Sequence, residues 1–201
     1  MSETAAVQSI PESLHRDGFV LLRQAAAPGM IQSMQRYMLR VAAEKNVTRD
    51  QQVPGAISCY GDPVTEKLLE GLIPDMERIT GRRLFPTYAY FRVYRRGDVL
   101  HRHRDRPACE FTLSLCVGYE GATTWPLWVQ GRDGAFAADL KPGDGLVFKG
   151  LECDHWRDAF DGNSASMAFL HYVDQDGPYR EWRYDKRADL QRAELEARNE
   201  D

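Results

Sequence analysis

No stretch of the 201-residue chain reaches the roughly 18 uncharged apolar residues that a membrane-spanning helix needs. Met1 to Ala6 have neither the basic start nor the apolar run of a secretory signal. The expectation is a cytoplasmic protein without membrane association. Cysteine is sparse and scattered: Cys59, Cys109, Cys116 and Cys153 contain no C-x-x-C pair, so neither a cysteine zinc site nor a dithiol redox couple is indicated. In a reducing compartment they read as reduced, mostly buried thiols. Positive charge is not in excess either, with 26 Lys and Arg against 30 Asp and Glu. That removes the basic surface on which non-specific nucleic-acid binding depends. Repeats and low-complexity tracts are absent. What is present, 43% hydrophobic and 28% charged residues, is the composition of a globular protein able to bury a core without staples.

Residues 1–10 are small and polar and read as a flexible terminus. From Pro11 to Val47 the pattern is helical around one extended segment, Gly18 to Leu22. Met30, Ile31, Met34, Tyr37, Met38 and Val41 recur at three- and four-residue intervals, as in an amphipathic helix packing one face inward. Val64 to Thr80 read as a second helix stopped by Gly81. Beyond Leu84 the chain breaks into short β-rich runs: 87–94, 110–117, 124–130, 145–149, 155–159 and 166–173. Turn chemistry separates them at Arg96-Gly97-Asp98, Gly131 to Gly134, Pro142 to Gly145 and Asp161-Gly162-Asn163. Strands so spaced, without intervening helices, predict an antiparallel sandwich or barrel. The resulting fold class is mainly β with flanking helices (α+β). One domain spans 11–184 with its barrel at about 84–175, and 185–201 form a charged C-terminal helix or tail.

The chemistry-bearing stretch is Tyr94 to Asp105. In an extended strand residues two apart share a face, so His103 and Asp105 can bring an imidazole and a carboxylate to one point. A third ligand would come from His155 or His171. Two histidines and one carboxylate suit ferrous iron, because three protein ligands leave open positions for a chelating cosubstrate and dioxygen.

Tyr94, Gly97, Leu100, His103 and Asp105 match, position by position, the pattern Y-x-x-G-x-x-[apolar]-x-x-H-x-D. Leu140 to Phe148 contain a Pro-Gly-Asp turn before a buried strand, and His155 follows. With Asp17 to Arg23 as an opening strand, the chain resembles iron(II)/2-oxoglutarate-dependent dioxygenases of the prolyl-hydroxylase-like type over residues 15–175. The resemblance implies a double-stranded β-helix (jelly-roll, cupin-like) and Fe(II) held by His103, Asp105 and His155. It further implies 2-oxoglutarate and O2 as cosubstrates, ascorbate as a supporting reductant, and Tyr94 donating its hydroxyl to 2-oxoglutarate. His171 reads as a satisfied core or rim histidine. His101, two residues before His103, reads as a group beside the ligands or facing substrate.

One departure stands out. The arginine or lysine that such enzymes place nine or ten residues after the second histidine is replaced by Asn163 to Ser166. Buried in a barrel, the far carboxylate of 2-oxoglutarate still needs a cation. Arg157, two residues beyond His155, is the first candidate, with Arg92 and Lys149 as alternatives. Arg106 and Glu110 could bind a polar substrate or pair with each other. Trp125 and Trp128 line the cleft or pack in the core. The implied reaction is hydroxylation of an unactivated C–H with release of succinate and CO2, and retention of Asp105 argues against halogenation. The rivals are a cupin-like metalloprotein that does not use 2-oxoglutarate and a non-catalytic binding or sensing module. A compact chain without a recognition domain favours a small molecule, such as an amino acid or natural-product precursor, over a protein substrate. The oligomeric state is read as monomer or homodimer.

Overall fold

The computed structural model describes residues 10–44, 48–122 and 124–191. Helix α1 (Ile10–Asp17) stops at Gly18, whose φ of 84° turns the chain into β1 (Phe19–Leu22). A side chain at Gly18 would also collide with Cys153 Sγ. Helix α2 (Pro28–Ala43) starts on a proline and buries Ile31, Met34 and Met38 of the expected stripe together with Ala42, with Tyr37 and Val41 half-buried and Met30, expected inside, exposed. After β2 (Thr48–Arg49) and β3 (Ile57–Tyr60), the single helix expected over 64–80 is two: α3 (Pro63–Gly71) and α4 (Ile73–Thr80). Pro74 has no N–H to continue the helical ladder, and Leu72 is the break. Asp62 caps α3 by accepting from the Val64 and Thr65 amides, and Gly81 ends α4 in a left-handed conformation, as expected.

The remaining strands are β4 (Leu84–Arg95), β5 (Leu100–His103), β6 (Phe111–Glu120), β7 (Leu127–Gly131), β8 (Gly134–Ala138), β9 (Gly145–Lys149), β10 (His155–Arg157) and β11 (Ser164–Asp174). They form two sheets, ordered β1-β9-β6-β11-β4-β3-β2 and β5-β10-β7-β8, with antiparallel pairing throughout. Alternation along the long strands separates two cores. Phe91, Leu113, Val147 and Leu170 face the helices, whereas Tyr94, Cys116, Phe148, Met167 and Phe169 face the smaller sheet. This is the double-stranded β-helix. Its second core is the barrel interior, and the candidate site opens from it.

Strands β2, β3 and β8 were not expected from the pattern, since Gly134-Ala135-Phe136-Ala137-Ala138 carries no β-branched residue. The charged helix expected from residue 185 does not begin there. Arg180–Lys186 is a 3₁₀ segment in which Tyr184, Asp185 and Lys186 have φ of 52°, 55° and 59°. Helical backbone covers 188–191, and the rest of that tail, like the terminus expected at 1–9, lies outside the described residues. Among the described residues no helix is long and apolar enough to cross a membrane.

The turn into β9 is held by one carboxylate. Asp144 accepts from the Gln24 and Lys141 amides, each at 3.1 Å, and from Arg23 at 2.6 Å, tying β1 to β9. Burial pushes this carboxyl up, but the three donors outweigh it and hold it below the usual carboxylate range. Asp144→Ala is expected to lower stability by about 1–3 kcal/mol in urea unfolding at neutral pH. In the unmodified protein the contribution is complete above the ordinary carboxylate pKa and fades as pH falls through the depressed value. An equally stable variant would show that the turn does not depend on this side chain.

Candidate active site

Gly97, at φ 84°, reverses the chain between β4 and β5 and donates its amide to the Phe160 carbonyl. Strand β5 then pairs with β10 so that His103 lies opposite His155, their ring centroids 4.2 Å apart. Asp105, just past β5, is anchored by its amide to the Gly150 carbonyl at 2.9 Å, and a side chain on Gly150 would strike its carboxylate. The ligand-type atoms of His103, Asp105 and His155 all lie within 4.8 Å of one another.

Backbone carbonyls set the orientation of both rings. His103 Nδ1 donates to the His101 carbonyl at 2.8 Å, and His155 Nδ1 donates to the Cys153 carbonyl at 3.1 Å. Each Nδ1 therefore carries the proton, and each Nε2 presents a lone pair. These lone pairs face the same oxygen, Asp105 Oδ1, at 3.8 and 3.6 Å, both longer than a hydrogen bond. Three acceptors thus converge with no proton between them. That arrangement is unfavourable empty and complementary to a cation. Burial pushes Asp105 up to about 6 and His155 down to about 4; it also lowers His103, helped by the neighbouring His155. Neutral imidazoles at pH 7 are the form that binds metal.

A second cluster, Asp105, Cys109 and His171, is equally compact. Its chemistry is less suited to an ion. The Thr112 hydroxyl lies 3.0 Å from both Asp105 Oδ2 and His171 Nδ1, and Cys109 Sγ is 3.1 Å from the Tyr88 hydroxyl. Burial raises the Cys109 thiol far above neutrality and so keeps it protonated.

A small cavity of about 20 Å³ adjoins the three residues, walled by Tyr90, Arg92, Leu100, Thr112, Ser114, Leu127, Phe148, Phe169 and His171. Arg92 is the cation in this wall, and its charge is matched: Nε and Nη2 pair with Asp50 at 2.9 and 2.7 Å, while Nη1 donates to the Tyr94 hydroxyl at 2.8 Å. Arg157 and Tyr94 are not in the wall. Arg157 lies behind Leu100, its partner across β5 and β10, and is fully buried. It donates to the Trp125 carbonyl, approaches Met167 Sδ at 3.7 Å and stacks on the Trp125 ring. Its Nε has no partner, and among the described residues no carboxylate pairs with it.

Several expectations change. The pairing of β5 with β10 shifts register between His155↔His103 and Arg157↔Leu100, a bulge that turns both His101 and Arg102 outward. His101 contributes its carbonyl, not its ring. His171 is buried as expected but not satisfied, since its Nε2 has no partner. Lys149 pairs with Glu152 outside the cavity. Trp128 stacks on Trp156 on the outer face of the smaller sheet, while Trp125 packs inside against Tyr94. Arg106 pairs with Asp185 at 2.6 and 2.7 Å instead of with Glu110, which accepts from the Asp174 amide.

No protein-family model and no curated protein matches the sequence. Solved structures do match in shape. The non-haem α-ketoglutarate-dependent epimerase SnoN of nogalamycin biosynthesis superposes with a TM-score of 0.70 at 13% identity, over 82% of this chain and 81% of that one. A prolyl-4-hydroxylase from Pseudomonas putida gives 0.63 at 16%, over 81% and 96%. HygX from Streptomyces hygroscopicus, solved with nickel, 2-oxoglutarate and hygromycin B bound, gives 0.65 at 11%, over 82% and 86%. At such identities the likeness establishes the fold. It extends to an epimerase and a prolyl hydroxylase alike, so it does not single out the prolyl-hydroxylase-like branch.

The two overlapping clusters are separable. His103→Ala and His155→Ala are each expected to abolish tight Co(II) binding in calorimetry, whereas Cys109→Ala leaves it intact. The opposite ranking would move the site to Cys109 and His171.

Proposed function

We propose that the protein is a non-haem iron(II)- and 2-oxoglutarate-dependent dioxygenase of the prolyl-hydroxylase-like type, hydroxylating an unactivated C–H of a small molecule. The observation that carries this reading is the convergence of His103 Nε2 and His155 Nε2 on Asp105 Oδ1, with both Nδ1 atoms committed to backbone carbonyls. Two neutral nitrogens and one carboxylate oxygen form the donor set of a metal held on one face, suited to ferrous iron in an oxygenase. The solved relatives in shape support it: SnoN has been crystallised with Fe3+, α-ketoglutarate and nogalamycin RO, and HygX with nickel and 2-oxoglutarate. Bound iron, together with 2-oxoglutarate and dioxygen, supplies the oxidising power for C–H cleavage.

The chain's own residues would do the rest. His103, Asp105 and His155 hold the metal. Arg157 is an unbalanced guanidinium in a closed interior, a costly arrangement that an incoming carboxylate relieves. Although it stands outside the cavity wall, it is assigned on charge to the far carboxylate of 2-oxoglutarate, in preference to Arg92, which lines the wall but whose charge Asp50 already matches. Tyr94 accepts from Arg92, which leaves its own hydroxyl proton available for the same carboxylate. Leu100, Leu127, Phe148 and Phe169 exclude water from the cavity. The neighbours in shape crystallised with small molecules, SnoN with nogalamycin RO and HygX with hygromycin B, support a small-molecule substrate.

Anaerobic protein given ferrous iron and 2-oxoglutarate should show the weak visible absorption of the chelated cosubstrate, then form succinate once oxygen is admitted. Neither signal from fully metallated protein would overturn the reading. Arg157→Gln is expected to raise the KM for 2-oxoglutarate at least tenfold, in line with about 1.5–3 kcal/mol for a hydrogen bond to a charged group, with Co(II) binding retained. An unchanged KM would move the anchor to Arg92.

A further inference from the structure

Thr112 on β6 and His171 on β11 are direct cross-strand partners, both facing the barrel interior. Thr112 Oγ1 lies 3.0 Å from Asp105 Oδ2 on one side and 3.0 Å from His171 Nδ1 on the other. A hydroxyl has a single proton to give, and a metal-bound carboxylate can only accept. The Thr112 proton therefore goes to Asp105, so the hydroxyl oxygen must accept from His171 Nδ1–H. That assignment fixes the tautomer of His171 and leaves its Nε2 as a lone pair. Nε2 is indeed buried without a partner. A histidine placed only for packing would not leave a buried nitrogen unsatisfied where an apolar ring would fit. Its ring is clamped against Tyr88 and Tyr90, with centroids 4.4 and 5.8 Å away, so the donor cannot swing clear of Thr112.

We infer that His171 is a positioning residue which, acting through Thr112, ties down one oxygen of Asp105 so that only the other faces His103 and His155. The inference rests on the metal-centre reading above. Its chemical consequence is a carboxylate restricted to one ligand atom. A carboxylate free to bind through both oxygens would occupy a position that the cosubstrate or dioxygen requires. The chain His171 Nδ1–H to Thr112 to Asp105 Oδ2 also makes Asp105 a better-oriented ligand, as a hydrogen-bonded partner behind a metal ligand does generally.

The test uses Co(II) alone as the probe, with affinity read by competition against a chromophoric chelator and geometry by the visible d–d absorption. Thr112→Val keeps the side-chain shape and removes the hydroxyl. His171→Phe keeps the ring against the tyrosines and removes the donor. His171→Asn places an amide N–H where Nδ1–H stood. Thr112→Val and His171→Phe are each expected to weaken Co(II) binding about 10- to 100-fold and to alter the d–d bands. The double variant should be no weaker than Thr112→Val, because both break one chain, and His171→Asn should recover most of the affinity and the original spectrum. Unchanged binding and spectrum in Thr112→Val overturn the inference while leaving the metal centre standing, as does a double variant whose losses multiply. Failure of Asn to outperform Phe overturns it as well, since packing alone would then explain His171. If the unmodified protein itself binds no Co(II), the metal-centre reading falls and this inference falls with it.

Discussion

The antiparallel register between β5 and β10 is the constraint from which the site follows. Only when His103 lies opposite His155 can two imidazoles from separate strands face one carboxylate oxygen. The same pairing contains the bulge that puts Leu100, rather than His101, opposite Arg157. In a regular strand His101 would share the face of His103; the extra residue turns it outward and returns the chain to the interior at Leu100. One irregularity thus limits the convergent donors at this point to three, and the His101 backbone carbonyl is recruited to orient the ring two residues on. A site open for exogenous ligands depends on that local limit.

Charge balance in the closed interior separates the two buried arginines. Removing a guanidinium from water costs several kcal/mol unless it is paired. Arg92 meets the condition through Asp50, and its contacts to Gln52 and Tyr94 use two more of its five donors. Arg157 makes a carbonyl hydrogen bond, a sulfur contact and a stacking contact, none of which carries negative charge. The three convergent acceptors beside Asp105 show the opposite imbalance, an excess of lone pairs. Two complementary defects lie at the two ends of β10, and a metal with a dicarboxylate cosubstrate would relieve both together. That coincidence is a stronger argument for the proposed chemistry than either residue group alone.

Local spacing made the core of this arrangement legible. Tyr94, Gly97, His103 and Asp105 stand within twelve residues, so strand periodicity brings His103 and Asp105 together, whereas the preference for His155 over His171 rests on the family resemblance, through the Pro142-Gly143-Asp144 turn that precedes it. The unread features are pairings across long stretches of chain. Arg92 finds Asp50 42 residues away, Thr112 finds His171 59 away, and Arg106 finds Asp185 79 away. No periodicity encodes such partners: local spacing offers Arg106 only nearby Glu110 and makes a late-strand His171 read as satisfied. The division at Leu72 was readable, since Gly71 and Pro74 both disfavour a continuous helix, but the apolar spacing across it is helical on both sides and masks the break.

The sequence pattern starts a charged surface helix at Asp185, where the structure instead has the end of the 3₁₀ segment Arg180–Lys186, which packs against Tyr88, Ala108 and Cys109 and pairs with Arg106. Tyr184, Asp185 and Lys186 adopt left-handed backbone without a glycine among them, at about 1–2 kcal/mol each. The run directs Asp185 to Arg106 in a two-pronged ion pair and to the Tyr60 hydroxyl, while Trp182 packs against Tyr88 and Cys109. Arg106 directly follows Asp105 in the chain, and Tyr88 holds the ring of His171. The segment therefore braces both ends of the hydrogen-bonded chain that runs from His171 through Thr112 to Asp105. A helix continuing from residue 180 would carry Asp185 away from Arg106. The strained turn is intelligible as the means by which residues beyond the barrel hold Arg106 and Tyr88, the neighbours of Asp105 and His171.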